Sequence, residues 1–157
     1  MDEQDKIREA LSGAASCVAY TDGGCHPNPG PGGFGVVFLA EIGGEQRAYE
    51  ISGGEVEATN NRMELMGAIC AVETLPPRCS LTIYTDSQYV ARGMNQWHRA
   101  WVRKNFADVK NSDLWKRLIA GCKGRNVRFQ WIKGHNGNQH NTRADQLATR
   151  GRKALTA

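Results

Sequence analysis

An apolar run that ends on an acid and then breaks into glycine and proline constrains the fold of this chain most. A predicted strand over residues 16–22 ends on Asp22, and residues 23–33 after it are rich in glycine and proline. A second β-branched and apolar run, from residue 80, ends on Asp86 before a helical pattern. A strand that carries an acid to its end presents it on the rim of a sheet. Although Asp is common in turns and helix caps, the repeated arrangement predicts one site containing Asp22 and Asp86.

The first three predicted strands form an antiparallel meander. The strand over residues 16–22 leads through the Pro/Gly loop to a strand over 35–40, and a Gly-Gly turn leads to a third over 46–52. Gly30 to Gly35 match the dinucleotide-binding pattern G-x-G-x-x-G, but that pattern requires a helix directly after the glycines. Because residues 36–39 are typical of a strand, we expect a flexible loop with close backbone approach instead.

A largely buried helix is predicted over residues 59–75, with Thr59 or Asn60 as its N-cap and two prolines after its end. This helix would be the crossover to the strand that ends on Asp86, and a parallel pairing with the first strand would bring Asp86 to the same sheet edge as Asp22. Glu64 lies in the first turns among large apolar residues, where an acid is costly unless it is paired or bound to a cation. The alternative is a solvent-facing Glu64 favoured by the helix dipole.

The second half of the chain is predicted to contain short helices, a last strand and a final helix. A short helix covers residues 87–93, and another covers 112–119 with Ser112 as its cap. The last strand, 126–133, alternates strictly and leads into a polar, glycine-rich loop that contains His135. The final helix begins near Thr142 and carries Asp145. An ordinary exposed histidine and a solvated first-turn acid are the alternatives for His135 and Asp145.

Length and composition indicate one compact domain. The chain has 157 residues and is 40% apolar, enough for one ordinary core. We predict a polar, partly helical N-terminal tail over residues 1–15 that is frayed or loosely docked, and a single domain over 16–157. Five cysteines without a CxxC pair favour free thiols in a reducing compartment. With an acidic start and no long apolar run, we expect a cytoplasmic protein without membrane contact. We also expect a monomer.

The charge is distributed unevenly along the chain. Residues 92–128 carry a net charge of +8 and the remainder −4, which suggests a polyanionic partner. Trp97 and Trp101 are four residues apart and share a helix face. Basic side chains lie among them, namely Arg99, Arg103 and Lys104. This pattern suits a surface that follows a phosphate backbone with stacking aromatics, while a solvated helical face and core packing of the tryptophans are the alternatives.

Four acids are expected at element ends or faces that this topology could bring together: Asp22, Glu64, Asp86 and Asp145. Carboxylates at such range repel one another, so a hard divalent cation is the natural counter-charge. Oxygen ligands favour Mg²⁺ or Mn²⁺ over zinc. Together with a basic, aromatic arm, these acids suggest hydrolysis of a phosphodiester with two metal ions.

Several long and uncommon motifs occur in one order along the chain. They are Thr21–Gly23, Asn28–Gly33, Thr59–Leu65, Thr85–Val90, Asn111–Trp115 and Trp131–His135, followed by Asp145. In this set the chain resembles bacterial ribonuclease H of type 1 over about residues 17–150. The resemblance implies a ribonuclease H-like α/β fold with a five-stranded mixed sheet flanked by helices. It also implies an endonuclease that cuts the RNA strand of an RNA/DNA hybrid, leaving 5′-phosphate and 3′-hydroxyl ends, with two Mg²⁺ ions or Mn²⁺ as a substitute.

The resemblance further implies roles for individual residues. The four acids would be catalytic metal ligands, and His135 would be a mobile histidine that assists proton transfer or product release. Minor-groove contacts to the RNA strand are implied for Gly23, Asn28, Asn60 and Gln88. Thr59, with Asn28 close by, would form a pocket for a phosphate of the DNA strand. The segment 97–110, with its two tryptophans and basic side chains, corresponds to the basic protrusion of the family.

The chain also departs from the family pattern. Its protrusion is shorter than in the best-known bacterial members and has scattered arginines in place of a lysine cluster, while Thr142 stands where an acid is common. Two other functions remain open. A transposase, integrase or resolvase of the same superfamily would act on DNA, but their longer insertions are not recognisable here. A binding module without catalysis would lack some of the acids, yet all four are present with His135.

Overall fold

The computed structural model describes residues 2–134 and 137–155. In chain order its elements are α1 (Glu3–Ala10), β1 (Ser16–Cys25), β2 (Gly30–Ile42), β3 (Glu45–Ala58), α2 (Asn60–Thr74), β4 (Ser80–Thr85), α3 (Gln88–Arg92), a π-helical segment (Gly93–Trp97), α4 (His98–Arg103), α5 (Ser112–Cys122), β5 (Val127–Trp131) and α6 (Gln139–Ala154). No helix within these residues is long and apolar enough to cross a bilayer.

The strands form one mixed sheet in the order β3-β2-β1-β4-β5, which confirms the predicted fold class. The first three strands are the antiparallel meander, and β1, β4 and β5 run parallel. In the β1–β4 pair, Ser16 lies opposite Ser80 and Thr21 opposite Thr85. Asp22 and Asp86 directly follow the last of these pairs, so both acids lie at the same edge of the sheet, as the crossover argument predicted.

The two faces of the sheet are covered by different helices. Alternate residues of β1, such as Cys17 and Ala19, are buried in the main core together with nearly the whole length of α2. On the opposite face, Ala144 and Leu147 of α6 pack against Val37 of β2. Because α2 and α6 each carry one of the predicted acids, this layering determines where those acids meet the sheet edge.

The glycine-rich stretch is strand, so the expectation of a flexible loop over Gly30–Gly35 is wrong, whereas the expected close backbone approach is confirmed. β1 continues to Cys25, and β2 already begins at Gly30. At Gly33 the backbone of α6 approaches so closely that a Cβ atom would overlap the carbonyl oxygen of Ala148. Absence of a side chain therefore permits close contact between helix and strand, and the glycines serve packing rather than flexibility.

The N-terminal residues are docked, contrary to the expectation of a frayed or loosely docked tail. Ile7 is 5% exposed and Leu11 is fully buried. The Gln4 amide donates to the Thr74 hydroxyl at 3.0 Å, and the Arg8 guanidinium donates to the Glu73 carbonyl at 2.7 Å. Two apolar residues four positions apart suffice to give this short helix a buried face. The division of the chain into a tail and a domain stays a prediction.

The start of α5 differs from the sequence expectation. Its N-cap is Asn111, in the left-handed region with φ 57°, and not Ser112, which is the first helical residue. Asn tolerates this region better than most residues, which is why it can fill the position.

The final helix begins earlier than expected. The side chain of Asn138 accepts hydrogen bonds from the backbone N–H groups of His140 and Asn141, so α6 begins at Gln139 and not near Thr142. A sequence-based boundary missed this turn because the cap is an asparagine within a run of polar residues.

Candidate active site

Three of the predicted acids meet at the carboxyl edge of the central strands. β1 delivers Asp22, α2 delivers Glu64 from its second turn, and Asp86 follows β4 directly. One carboxylate oxygen from each of the three lies within 4.8 Å of the others. Asp22 and Glu64 are buried, and Asp86 is half-buried. We call this group the acid cluster.

Gly23 allows α2 to approach β1 closely enough to form the acid cluster. A Cβ atom on Gly23 would lie 2.6 Å from the backbone nitrogen of Glu64 and would overlap the Met63 carbonyl. The Gly23 N–H group donates to Asp22 Oδ1 at 2.9 Å and to Glu64 Oε1 at 3.0 Å. The two carboxylates thus share one backbone N–H donor, and one such donor cannot compensate two negative charges.

The second oxygen of Glu64 is the most informative atom of the cluster. Glu64 Oε2 is buried, and no described residue forms a hydrogen bond with it. A buried carboxylate oxygen without a partner is costly, on the order of 1–3 kcal/mol or more for a charged group. A divalent cation held by oxygen ligands would satisfy this atom, so the residues present fit a metal ion.

Burial and mutual repulsion raise the pKa values of Asp22 and Glu64. Burial raises the pKa of Asp22 to about 7, and the negative charges of Asp86 and Asp145 add to the shift. Burial also raises the pKa of Glu64 well above its usual value, with the charge of Asp22 as the next cause. Without a cation, the cluster therefore resists carrying its full negative charge at neutral pH.

Trp131 supports the backbone of Asp86. Its indole N–H donates to the Asp86 carbonyl oxygen at 3.1 Å, and the neighbouring Ile132 N–H donates to the Thr85 carbonyl at 2.9 Å. Sequence reasoning gave Trp131 no separate role. The parallel register that pairs Thr85 with Trp131 could have indicated the contact, but the register of β5 was not predictable from its pattern alone.

Asp145 lies beside the acid cluster and not within it. It is exposed on α6, and its charge contributes to the raised pKa of Asp22. It lines a cleft of about 290 Å³ together with Gly23, Gly24 and Arg152. His135 lies outside the described residues, so its predicted position beside the acids stays a prediction.

The residues predicted to contact the substrate connect the end of β1 to the start of α2. The Asn60 N–H donates to Asn28 Oδ1 at 3.1 Å, and the Cys25 N–H donates to Asn60 Oδ1 at 2.7 Å. Thr59 is the N-cap of α2, where its hydroxyl accepts a hydrogen bond from the Arg62 N–H at 3.2 Å. Each asparagine thus uses its oxygen within the protein and presents its amide NH₂ group as the donor. Gln88, in the first turn of α3, is exposed.

A polar cluster next to Thr59 was not anticipated. The Arg62 guanidinium donates to both carboxylate oxygens of Asp113, at 2.8 and 3.0 Å, and to Asn111 Oδ1 at 3.3 Å. The Asn111 amide and the Trp115 indole both donate to the Tyr89 hydroxyl, at 3.1 and 2.9 Å. Asn111 belongs to one of the recognised motifs, but its left-handed backbone and these partners depend on tertiary structure.

The predicted basic arm divides into an exposed part and a packed part. Arg99, Arg103 and Lys104 are exposed on or directly after α4. The Trp97 side chain is 38% exposed, whereas Trp101 is half-buried with its ring centroid 4.8 Å from that of Trp115. Of these two tryptophans, Trp97 therefore offers the larger exposed surface, while Trp101 also connects the arm to the core.

The sequence is similar to known proteins over most of its length. The family model for RNase H matches residues 14–153. A ribonuclease H of Gluconobacter oxydans is 45% identical over 141 residues, which cover 87% of this chain and 91% of the relative. A ribonuclease H of Methylococcus capsulatus is 51% identical over 138 residues, which cover 85% of this chain and 86% of the relative.

Solved structures show the same fold. LC9-RNase H1, described as a type 1 RNase H with the type 2 active-site motif, aligns with a TM-score of 0.82 and 26% identity, covering 90% of this chain and 74% of that one. LC11-RNase H1 in complex with an RNA/DNA hybrid aligns with a TM-score of 0.67 and 26% identity, covering 90% of this chain and all of that one.

Proposed function

The chain belongs to the ribonuclease H family, and from that premise we propose that its acid cluster is the site at which the RNA strand of an RNA/DNA hybrid is hydrolysed. It is a metal-dependent nuclease, and its products are a 5′-phosphate and a 3′-hydroxyl end. The proposal assigns catalytic and metal-binding roles to Asp22, Glu64, Asp86 and Asp145.

One observation carries this assignment. The buried Glu64 Oε2 has no hydrogen-bond partner among the described residues, and it lies in a group of three acids at one sheet edge. An acid on a purely structural helix would be paired or would face water. This geometry supports a cation in the cluster, and Mg²⁺ is the proposed ion, with Mn²⁺ as a substitute.

The residues of the cluster have separable tasks in the reaction. Asp22 and Asp86, on adjacent parallel strands, would hold the cations in a fixed position relative to the sheet, and Glu64 would complete the ligand set from α2. Divalent ions, when bound there, supply the positive charge that activates a water molecule and stabilises the leaving oxygen. Asp145, at the side of the cleft, would add a ligand from α6, and His135 would assist proton transfer or product release.

Recognition of the hybrid would use the surface on either side of the cluster. Gly23, Asn28, Asn60 and Gln88 are the proposed contacts to the RNA strand. The side-chain amides of the last three can bond 2′-hydroxyls in a shallow minor groove, and Gly23 has no side chain to obstruct the approach. Thr59 is proposed to bind a phosphate of the DNA strand. Trp97, Trp101 and the basic side chains of the arm, Arg99, Arg103 and Lys104, are proposed to follow the phosphate backbone.

The function is tested by a cleavage assay on four end-labelled duplexes: RNA/DNA, RNA/RNA, DNA/DNA and DNA with one ribonucleotide. We expect Mg²⁺-dependent cutting confined to the RNA strand of the hybrid and none with EDTA. Cutting of DNA/DNA would instead place the chain with DNA-directed enzymes of the superfamily. Tight hybrid binding without cutting would indicate a binding module.

The site assignment is tested with Asp22→Asn. This variant keeps the shape of the side chain but removes its charge, so we expect cleavage to fall by about 10³-fold or more while the fold is retained. Asp5→Asn removes a carboxylate from the exposed surface of α1 and is the matched control. A variant Asp22→Asn that cuts at the wild-type rate would refute the assignment.

We also propose that the protein is a cytoplasmic monomer. The location is supported by its five cysteines, which are all free thiols. Light scattering of the purified chain tests the monomeric state directly.

A further inference from the structure

A groove of about 350 Å³ lies on the β4–β5 side of the acid cluster. Its lining residues come from α3, the π-helical segment and the end of β5: Gln88, Ala91, Arg92, Asn95, Gln96 and Trp131. Its volume lies in the range of about 300–1,000 Å³ that is usual for ligand sites. Of its lining residues, only Gln88 is among the substrate contacts proposed above. We call this site the β5 groove.

The side chains of the β5 groove suit a nucleotide. Arg92 is exposed, and within residues 2–134 and 137–155 its guanidinium has no hydrogen-bond or salt-bridge partner. The Trp131 indole is 39% exposed although its N–H is fixed to the Asp86 carbonyl. The Asn95 amide donates to the Phe129 carbonyl at 3.0 Å, which holds the floor of the groove against β5. A cation, an exposed aromatic ring and several amides are the groups that bind phosphate, sugar and base.

The position of the groove indicates which strand would reach it. Trp131 contacts Asp86 directly, and Gln88 is two residues beyond Asp86 on α3. Under the proposed function, the phosphate that is cut lies at the acid cluster, so the RNA strand passes Asp86. The proposed pocket for the DNA strand is at Thr59, the N-cap of α2, and not on the β5 side of the cluster. The strand that continues past Asp86 is therefore RNA.

We propose that the β5 groove is a further subsite for the RNA strand, in which Arg92 binds a phosphate beyond Gln88 and Trp131 packs against the sugar or base of the same nucleotide. The proposal rests on the proposed function, because it takes the position of the RNA strand from the acid cluster. Each strand of a duplex carries one phosphate per about 3.4 Å of axis, so a groove next to Asp86 is within one or a few nucleotides of the cleavage point.

The test combines a charge-removing variant with substrates that lack one phosphate charge. Hybrids carry a single methylphosphonate linkage at successive positions of the RNA strand or of the DNA strand, and binding is measured in EDTA so that they stay intact. We expect Arg92→Gln to weaken binding of the unmodified hybrid about three- to tenfold, the size of one typical solvent-exposed hydrogen bond. At one position of the RNA strand, the methylphosphonate should weaken binding to the wild type but not weaken binding to Arg92→Gln any further. The reason is that this variant already lacks the contact between residue 92 and that phosphate.

Arg78→Gln is the matched control, because Arg78 is equally exposed but precedes β4, at the end of the strand opposite Asp86. Arg92→Lys should retain part of the affinity, and thermal melting of each variant reports whether the fold is intact. The proposal would be overturned if Arg92→Gln and Arg78→Gln bound the hybrid equally well. It would also be overturned if the effect of Arg92→Gln were non-additive with that of a methylphosphonate in the DNA strand.

Cleavage of the unmodified hybrid by the wild type is measured alongside. If the wild type cuts while Arg92→Gln behaves as the control does, the subsite alone is refuted; a wild type that does not cut refutes the proposed function.

Discussion

Glu64 illustrates, at the scale of one residue, how burial and charge determine a site. An acid among large apolar residues of a buried helix was expected to be costly unless paired or bound to a cation. The structure gives one of its oxygens a single backbone donor and leaves the other without a described partner. The metal-free cluster is therefore a source of instability that a bound cation would remove.

The pH dependence of stability follows from the raised pKa values. The pKa of Asp22 rises from an unfolded value near 4 to about 7, so between these values the folded state holds a proton that the unfolded state has lost. The stabilisation that comes from this raised pKa of Asp22 is complete below about pH 4 and is lost as the pH rises through about 7. In thermal melts with EDTA, the wild type should therefore become less stable between pH 5 and pH 8. A melting temperature that rises over this interval would contradict the raised pKa values.

Glu64→Gln isolates the contribution of one carboxylate. The amide oxygen can still accept from the Gly23 N–H group, but the buried charge is gone, so at pH 8 in EDTA the melting temperature should rise by several degrees. At pH 4 the two proteins should melt alike, because Glu64 is then protonated. The exposed Glu57→Gln is the control. A lower melting temperature for Glu64→Gln at pH 8 would show that the charge is already compensated within the protein.

At the scale of elements, α1 shows how a short polar helix becomes part of the core. Its sequence offers only Ile7 and Leu11 as large apolar residues, which by itself predicts loose docking. Both side chains join the core cluster that contains α2 and β1. Whether a marginal helix docks depends on the surface available to receive it, which the local sequence does not describe.

Leu11→Ala tests the contribution of α1. Removing a fully buried leucine side chain should lower the free energy of unfolding by about 2–5 kcal/mol, measured by urea denaturation. The control is Val56→Ala, because Val56 is 69% exposed on β3 and should change stability by less than about 0.5 kcal/mol. A loosely docked α1 would instead give equal, small effects for both substitutions.

The basic arm, residues 97–110, should contribute to the salt dependence of hybrid binding. Replacing Arg99, Arg103 and Lys104 together by Gln should weaken hybrid binding and reduce the slope of log affinity against log salt by roughly 0.9 per lost phosphate contact. Fluorescence anisotropy at four or more salt concentrations measures the slope.

A triple control removes three positive charges from other surfaces of the protein, at Lys6, Arg78 and Lys123, all of which are exposed. It should lower affinity slightly through net charge but leave the slope nearly unchanged. Equal slopes for the arm variant and the wild type would show that the arm does not contact phosphate.

At the scale of the whole molecule, the sequence predicted the topology because chain order and handedness leave few alternatives. A meander, a crossover helix and a parallel strand place Asp22 and Asp86 side by side, and the register of β1 and β4 agrees. Predictions failed where tertiary contact overrides local pattern. The glycines at Gly30–Gly35 form strand because α6 packs on them, and Asn111 caps α5 in a left-handed conformation. The contact of Trp131 with Asp86 depends on the register of β5, which cannot be predicted from the sequence pattern of that strand alone.

We propose that Asp22, Glu64 and Asp86 together hold the divalent ions that catalyse cleavage. Anomalous scattering from Mn²⁺-soaked crystals of the protein tests this claim most directly, with Glu64→Gln crystals as the comparison. We expect an anomalous peak among the three carboxylates in the wild type and a weaker or absent peak in the variant. A peak elsewhere, or equal peaks in both crystals, would contradict it.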